Sequence, residues 1–400
     1  MNVMRFFFLT ALGGFFEFDS LAQTNWVQRT NVTSGTSGYY NCLACSADGS
    51  ILAVASGDSG IFISTNSGET WLQHTQWLSN AHVVTMSADG NKMAAVASGL
   101  STSIDGGETW THQNGAPTYN GYYNFYFLAS SADGNKLMGA MNTGNGGSPI
   151  YTSMDGGVTW MTNSAPTNNW KAGACSADGM KLIAVSANGG GVWTSTNAGA
   201  TWISNSVPPP YLAPATWLSA ASSADGIRLV IGAYGGQVYT STNSGFTWIS
   251  NAVSGAFLQC LASSADGQRL IAAVGSGKIY TSTNFGKIWN TNNVPSLAAW
   301  SSVASSADGC KLAAAISFGN VYTEESTPPK PSLAISSANG NAFVTWPVIS
   351  TNVVLQASDD LSTWTDLTNT PQINATNLQD EVSLPQMESA GAAFYRLAAP

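Results

Sequence analysis

The sequence predicts an all-β fold, a seven-bladed β-propeller closed by an N-terminal strand and followed by a small β-sandwich. Three observations carry that expectation. First, the tetrapeptide Ser-Ala-Asp-Gly occurs seven times, beginning at Ser46, Ser87, Ser131, Ser176, Ser223, Ser264 and Ser306. The starts lie 41, 44, 45, 47, 41 and 42 residues apart, a period that holds four short strands and therefore one propeller blade. Second, an octapeptide Ser-x-Asn/Asp-x-Gly-x-Thr-Trp recurs 16 to 22 residues behind it. Third, both repeats stop before Pro328-Pro329-Lys330-Pro331, a stiff spacer, and a non-repetitive segment follows.

In chain order, residues 1–22 read as a secretory signal peptide. Arg5 supplies the basic start, Phe6 to Phe16 an apolar run too short to span a bilayer, and Ser20-Leu21-Ala22 a small-x-small cleavage site before Gln23. Residues 23–326 form the propeller. Each Ser-Ala-Asp-Gly is followed by an apolar run such as Leu182-Ile183-Ala184-Val185, a Gly-rich step, a β-rich run such as Val238-Tyr239-Thr240-Ser241, and the octapeptide. The seventh period lacks the octapeptide and its last strand. Thr24-Asn25-Trp26-Val27-Gln28-Arg29 resembles the segment after the other boxes, so the N-terminus is expected to complete the last blade and remove its open edge. Residues 327–331 are the linker. Residues 332–400 contain four strand-like runs around Trp346, Leu355, Trp364 and Tyr395, the pattern of a fibronectin-III-like or immunoglobulin-like module.

The octapeptide is intact at 64–71, 103–110, 153–160, 195–202 and 241–248, and degenerate at 282–289 where Ile288 replaces Thr. Its Asn66, Asp105, Asp155, Asn197, Asn243 and Asn284 can bond backbone N–H groups nearby, its Gly can adopt positive φ, and Trp71, Trp110, Trp160, Trp202, Trp248 and Trp289 can bury their rings. These residues resemble the Asp-box, or bacterial neuraminidase repeat, propellers, which include sialidases, xyloglucanases, sortilin-type receptors and the photosystem II assembly factors. The resemblance implies a fold, and a fold does not name a reaction.

Charge narrows the function. Only 9% of residues are charged, the net charge is −9, and the pI is near 4.6, which excludes nucleic acid and anionic membranes as partners. The five cysteines match no zinc spacing. Cys45 and Cys175 stand where other blades have Ser, and Cys42 shares a strand position with Cys260, so they read as small buried side chains. No metal or cofactor is expected.

A glycosidase of the resembled kind would need an arginine cluster, a Tyr-Glu pair and an acid. Arg228 and Arg269 occupy the place of Lys92, Lys136, Lys181 and Lys311 in other blades and are structural, which leaves Arg29. Of the 22 acidic residues, only Asp58, Glu324 and Glu325 lie in the propeller outside repeated elements. That inventory does not furnish two convergent carboxylates. His74, His82 and His112 form no metal spacing.

The Ser-Ala-Asp-Gly turns and the octapeptides share one face, so variation must fall on the other. Six residues before each Ser-Ala-Asp-Gly stand Tyr40, Ala81, Phe125, Trp170, Trp217, Leu258 and Trp300, either a repeated packing residue or an aromatic ligand platform. The next position carries Asn41, His82, Tyr126, Lys171, Leu218, Gln259 and Ser301, different in every blade. With loop aromatics such as Tyr122, these residues suit a neutral glycan or a protein surface. The expectation is a secreted, monomeric, non-catalytic binding or scaffold protein. The ligand candidates are Tyr40, Asn41, His82, Tyr122, Tyr126, Trp170, Lys171, Trp217, Gln259 and Trp300. A divergent glycoside hydrolase and an assembly factor are the alternatives.

Overall fold

The computed structural model describes residues 26–398 apart from 30–31, 33–39, 76–77, 119–124, 142, 144–145, 188, 190, 209–215, 254–257, 276, 296–297, 329–330, 339–340, 350–352, 359–360, 368–370, 375, 377 and 385–393. The signal segment and Tyr122 lie outside the described residues. All regular structure among the described residues is β. Six consecutive antiparallel sheets of four strands run from Tyr40 to Thr291. A seventh joins Trp300–Ser305, Lys311–Ile316 and Val321–Glu325 to the N-terminal strand Val27–Arg29. In that last sheet Val27 pairs with Thr323 and Arg29 with Val321, and Arg29 Nε donates to Thr323 Oγ1 at 2.7 Å. The chain end thus covers an edge that would otherwise be open.

The innermost strands contact one another in cyclic order, with Tyr40–Cys45 touching both Val83–Met86 and Trp300–Ser305. A ring of backbone hydrogen bonds also closes the propeller. The N–H of each Ser-Ala-Asp-Gly alanine donates to the carbonyl of the next one, Ala47 to Ala88, then Ala132, Ala177, Ala224, Ala265 and Ala307, which returns to Ala47, all at 2.7–2.8 Å. Seven segments of the chain meet at this belt, and a small side chain is what such convergence permits. The motif's other residues tie the turn itself. Ser46 Oγ donates to Asp48 and accepts from the Ile51 N–H at 2.9 Å, while Asp48 accepts from the Ser50 N–H at 3.0 Å. The Gly is needed twice over. Gly226 has φ +65, and a Cβ there would lie 2.7 Å from Lys181 Cβ of the preceding blade. Lys181 continues past it to donate from Nζ to the Asp225 carbonyl at 2.7 Å, so the recurring cation is a blade-to-blade clamp.

The octapeptide folds as its chemistry requires. In the fourth copy Gly199 N–H donates to Ser195 Oγ at 3.0 Å, Thr201 N–H to Asn197 Oδ1 at 2.9 Å, and the Trp202 indole to the Gly199 carbonyl at 3.1 Å. Ala198 and Gly199 both have positive φ, 55° and 88°. In the degenerate copy Ile288 N–H still reaches Asn284 at 2.9 Å, but the Trp289 indole N–H has no partner. Octapeptide and Ser-Ala-Asp-Gly turn bond within each blade, as in Ser67 N–H to Ser50 O at 2.8 Å, which puts both on one face. The core lies between blades and is drawn from second strands such as Leu182–Ser186, every residue of which is buried.

The C-terminal segment forms two sheets. Ala334–Ala338, Asn341–Pro347, Gln379–Ser383 and Gln372–Asn374 make one, and Thr365–Asp366, Val354–Ser358 and Phe394–Ala398 the other. Val344, Trp346, Leu355, Val382 and Leu384 form one core shared by the two sheets.

Blade seven departs from the repeat at Glu324, which occupies the place of the octapeptide serine. The side chain is only 4% exposed and its Oε1 has no partner. Burial pushes its carboxyl up to about 7, with Arg269 opposing the shift and Glu325 adding to it. A raised folded-state pKa means stability is full below the ordinary carboxylate value, 4.5, and lost as pH rises through about 7. We expect a loss of about 1–2 kcal/mol over that window after allowance for solvent screening. Glu324→Gln should flatten this limb in chemical denaturation at pH 5 and pH 8. An unchanged slope would exclude Glu324 as its source.

Candidate ligand site at the channel mouth

The inner strands end at the alanine belt and begin at the opposite end of the channel, where the variable ring lies. The strands open with a β-bulge in six blades. The ladder skips Asn41, Tyr126, Lys171, Leu218, Gln259 and Ser301, as the register shift from Tyr40 to Cys42 illustrates. A bulge leaves one residue outside the pairing and re-aims its side chain. Residues that differ in every blade therefore sit where the backbone releases them.

Within the ring, Lys171 Nζ lies 4.2 Å from the centroid of the Tyr126 ring, a cation–π contact between neighbouring blades. Tyr126 is 41% exposed and Gln259 is also exposed. Asn41 Nδ2 donates to the Ala81 carbonyl at 3.3 Å, and Ser301 Oγ to Ala315 O at 3.2 Å. His82 Nδ1 stands 3.3 Å from the Asn80 carbonyl, while its Nε2 is buried without a partner. None of the seven ring residues is a carboxylate. The ring can stack, hydrogen-bond and present one ammonium group, but it holds no pair of carboxylates.

The preceding position behaves differently, and the expectation of ligand contacts there is corrected. Tyr40, Trp170, Trp217 and Trp300 are each no more than 2% exposed. Tyr40, Trp217 and Trp300 pack edge-to-face on Phe62, Tyr239 and Tyr322 of their own third strands. Tyr40 donates its hydroxyl to the Val32 carbonyl, and the indoles of Trp170 and Trp300 donate to Ser148 O and Gly277 O, both at 3.0 Å. They anchor blades. The recurrence of an aromatic at 62, 239 and 322 was the signal in the sequence that Tyr40, Trp217 and Trp300 had packing partners.

Charged residues outside the repeats converge elsewhere. Arg29, Glu324 and Glu325, with Lys311, line a cavity of about 210 Å³ at the seam between blades seven and one. Glu324 and Glu325 are adjacent on one strand and point to opposite faces, one buried and one exposed. The cysteines are free, and burial pushes Cys45, Cys175 and Cys260 up to about 12, so these thiols are inert packing groups. Among the described residues no three His, Cys, Asp or Glu side chains gather as a metal site, and no helix is long and apolar enough to cross a membrane.

No family model matches the sequence, and no curated protein matches it. Solved structures do. YCF48 from Cyanidioschyzon merolae superposes with a TM-score of 0.56 at 15% identity, over 75% of this chain and 98% of that one. YCF48 bound to D1 peptide gives 0.55 at 18% identity, over 76% and 97%. The GH74 xyloglucanase from Xanthomonas campestris gives 0.58 at 12% identity, over 81% of this chain and 59% of that chain. At these identities the likeness establishes the fold: the chain is a β-propeller.

Proposed function

We propose that this chain is an exported, non-catalytic binding propeller of the Asp-box type, taking an extracellular glycan or protein segment at the mouth of its central channel. The observation that supports this reading is the bulge ring, a position re-aimed by the backbone in six blades and occupied by a different side chain in all seven. Asn41, His82, Tyr126, Lys171 and Gln259 make the contacts, and residues 1–22 are removed on export. The propeller spans 23–326, the linker 327–331 and the appended module 332–400.

Two other readings have support. Peptide binding by a solved propeller of the same fold favours a protein ligand over a glycan. The xyloglucanase likeness keeps a hydrolase in view, against which stands the lack of any carboxylate in the ring.

Glycan and peptide arrays probed with the chain from Gln23 onward are the direct test. For the ligand so found, Tyr126→Ala should weaken binding at least about tenfold, the effect of losing a stacking aromatic and its cation–π partner. Lys171→Ala should weaken it less. Affinity should change less than about threefold between 50 and 500 mM salt, since one ammonium is all there is to screen. Substrate turnover that Asp58→Asn abolishes would replace this reading with a glycosidase.

A further inference from the structure

The two ends of the channel differ. Opposite the bulge ring, the seven Ser-Ala pairs surround a space of about 170 Å³, and among its described wall residues Leu378 alone comes from outside the propeller. The wall has little hydrogen-bonding capacity left to offer. The motif hydroxyls of Ser46, Ser87, Ser131, Ser176, Ser223, Ser264 and Ser306 all donate to the aspartates of their own turns. Ser130, Ser222, Ser263 and Ser305 donate to adjacent carbonyls at 2.9–3.0 Å. The alanine N–H groups are spent on the belt. Polar and methyl surface face the space in about equal parts, and because those hydroxyls and N–H groups already have partners, an aliphatic side chain can enter without taking a hydrogen bond from them.

Leu378 is held to present one. It lies in the turn between Gln372–Asn374 and Gln379–Ser383. Its N–H donates to the Asn374 carbonyl at 2.9 Å, and its carbonyl accepts from the Val348 N–H at 3.4 Å. Its φ is +54°, a left-handed conformation that leucine adopts only under constraint. Asp380, two residues on, feels the first Ser-Ala-Asp-Gly carboxylate. Burial pushes Asp380 up to about 6, and Asp48 adds to the shift. Two observations on different residues thus set this turn against the belt face.

We propose that the C-terminal module is the stopper of the propeller: its Leu378 turn docks in the Ser-Ala ring and closes that end, leaving a well open only at the bulge ring. The docking stands whether or not the mouth binds a ligand; only its consequence, a blind site rather than a through-channel, rests on the reading above. The module then also governs whether a long ligand can thread the propeller.

The test uses the chain from Gln23 onward, with Leu378→Asp and the exposed neighbour Thr376→Asp as control. Leu378→Asp should raise cleavage in the 327–331 linker by a nonspecific protease at least about fivefold, because cleavage follows the undocked population. It should also increase the radius of gyration in X-ray scattering, while Thr376→Asp behaves like the parent. Leu378→Gly, which deletes the side chain and relieves the backbone, should act in the same direction and carries the test if the aspartate variant fails to fold. A parent linker cut as fast as the Leu378 variants, or variants no more extended than the parent, would overturn the proposal. Neither result depends on ligand binding, so failure of the stopper and failure of the mouth reading are distinguishable.

Discussion

Removing Gln23 to Arg29 is expected to lower the melting temperature sharply and to drive the protein into aggregates. The strand Val27–Arg29 supplies the whole outer pairing of blade seven, and without it Val321–Glu325 becomes a bare edge of the kind that recruits other chains. Trp26 leaves with it, a ring packed against the blade-six and blade-seven core beside Tyr322 and Ile279. The bond from Arg29 to Thr323 is lost as well. Loss of the packing of this partly buried tryptophan alone is worth about 2 kcal/mol, a sizeable share of the stability of an ordinary domain. Differential scanning calorimetry and light scattering on the truncated chain are the measurements. A truncated protein as stable and monodisperse as its parent would show that the alanine belt closes the ring unaided.

That closure was legible because it is a matter of counting. Seven Ser-Ala-Asp-Gly turns against six octapeptides left one strand to be found, and Trp26 marked it. The octapeptide was legible for a different reason: its hydrogen bonds run within eight residues, so local chemistry determines them. The alanine belt was not. The motif's Ala is visible in the sequence, but the bonds from Ala47 to Ala88 and on around to Ala307 exist only once the ring is closed. The candidate site divides the same way. Variation at Asn41, Tyr126, Lys171 and Gln259 showed in the sequence, whereas the bulge that turns them out of the ladder is a property of paired strands. Trp170 and Trp300 misled because an aromatic beside a variable position suits a ligand platform as well as a core. The edge-to-face partner of Trp300, Tyr322, is contributed by a strand two steps away in the same blade, and the Trp170 indole is held by the Ser148 carbonyl.

The same distinction between core and surface sets the expected cost of losing an octapeptide tryptophan. Trp248 is 7% exposed within the core between blades four and five, beside Val192 and Leu229, and its indole donates to the Gly245 carbonyl at 2.9 Å. Trp248→Ala should therefore cost about 3–5 kcal/mol, the range for large buried aromatics. Trp202 makes the equivalent bond at 3.1 Å but is only partly buried against the core between blades three and four. Trp202→Ala should cost less, about 2 kcal/mol, because less apolar area returns to water. Ligand affinity in either folded variant should equal the parent's, since these rings lie on the belt face and the bulge ring opens on the other. Urea denaturation beside a binding isotherm separates the two quantities. Equal costs at both positions would mean that the shared hydrogen bond, not burial, dominates, and a loss of affinity without loss of stability would move the ligand site to the belt face.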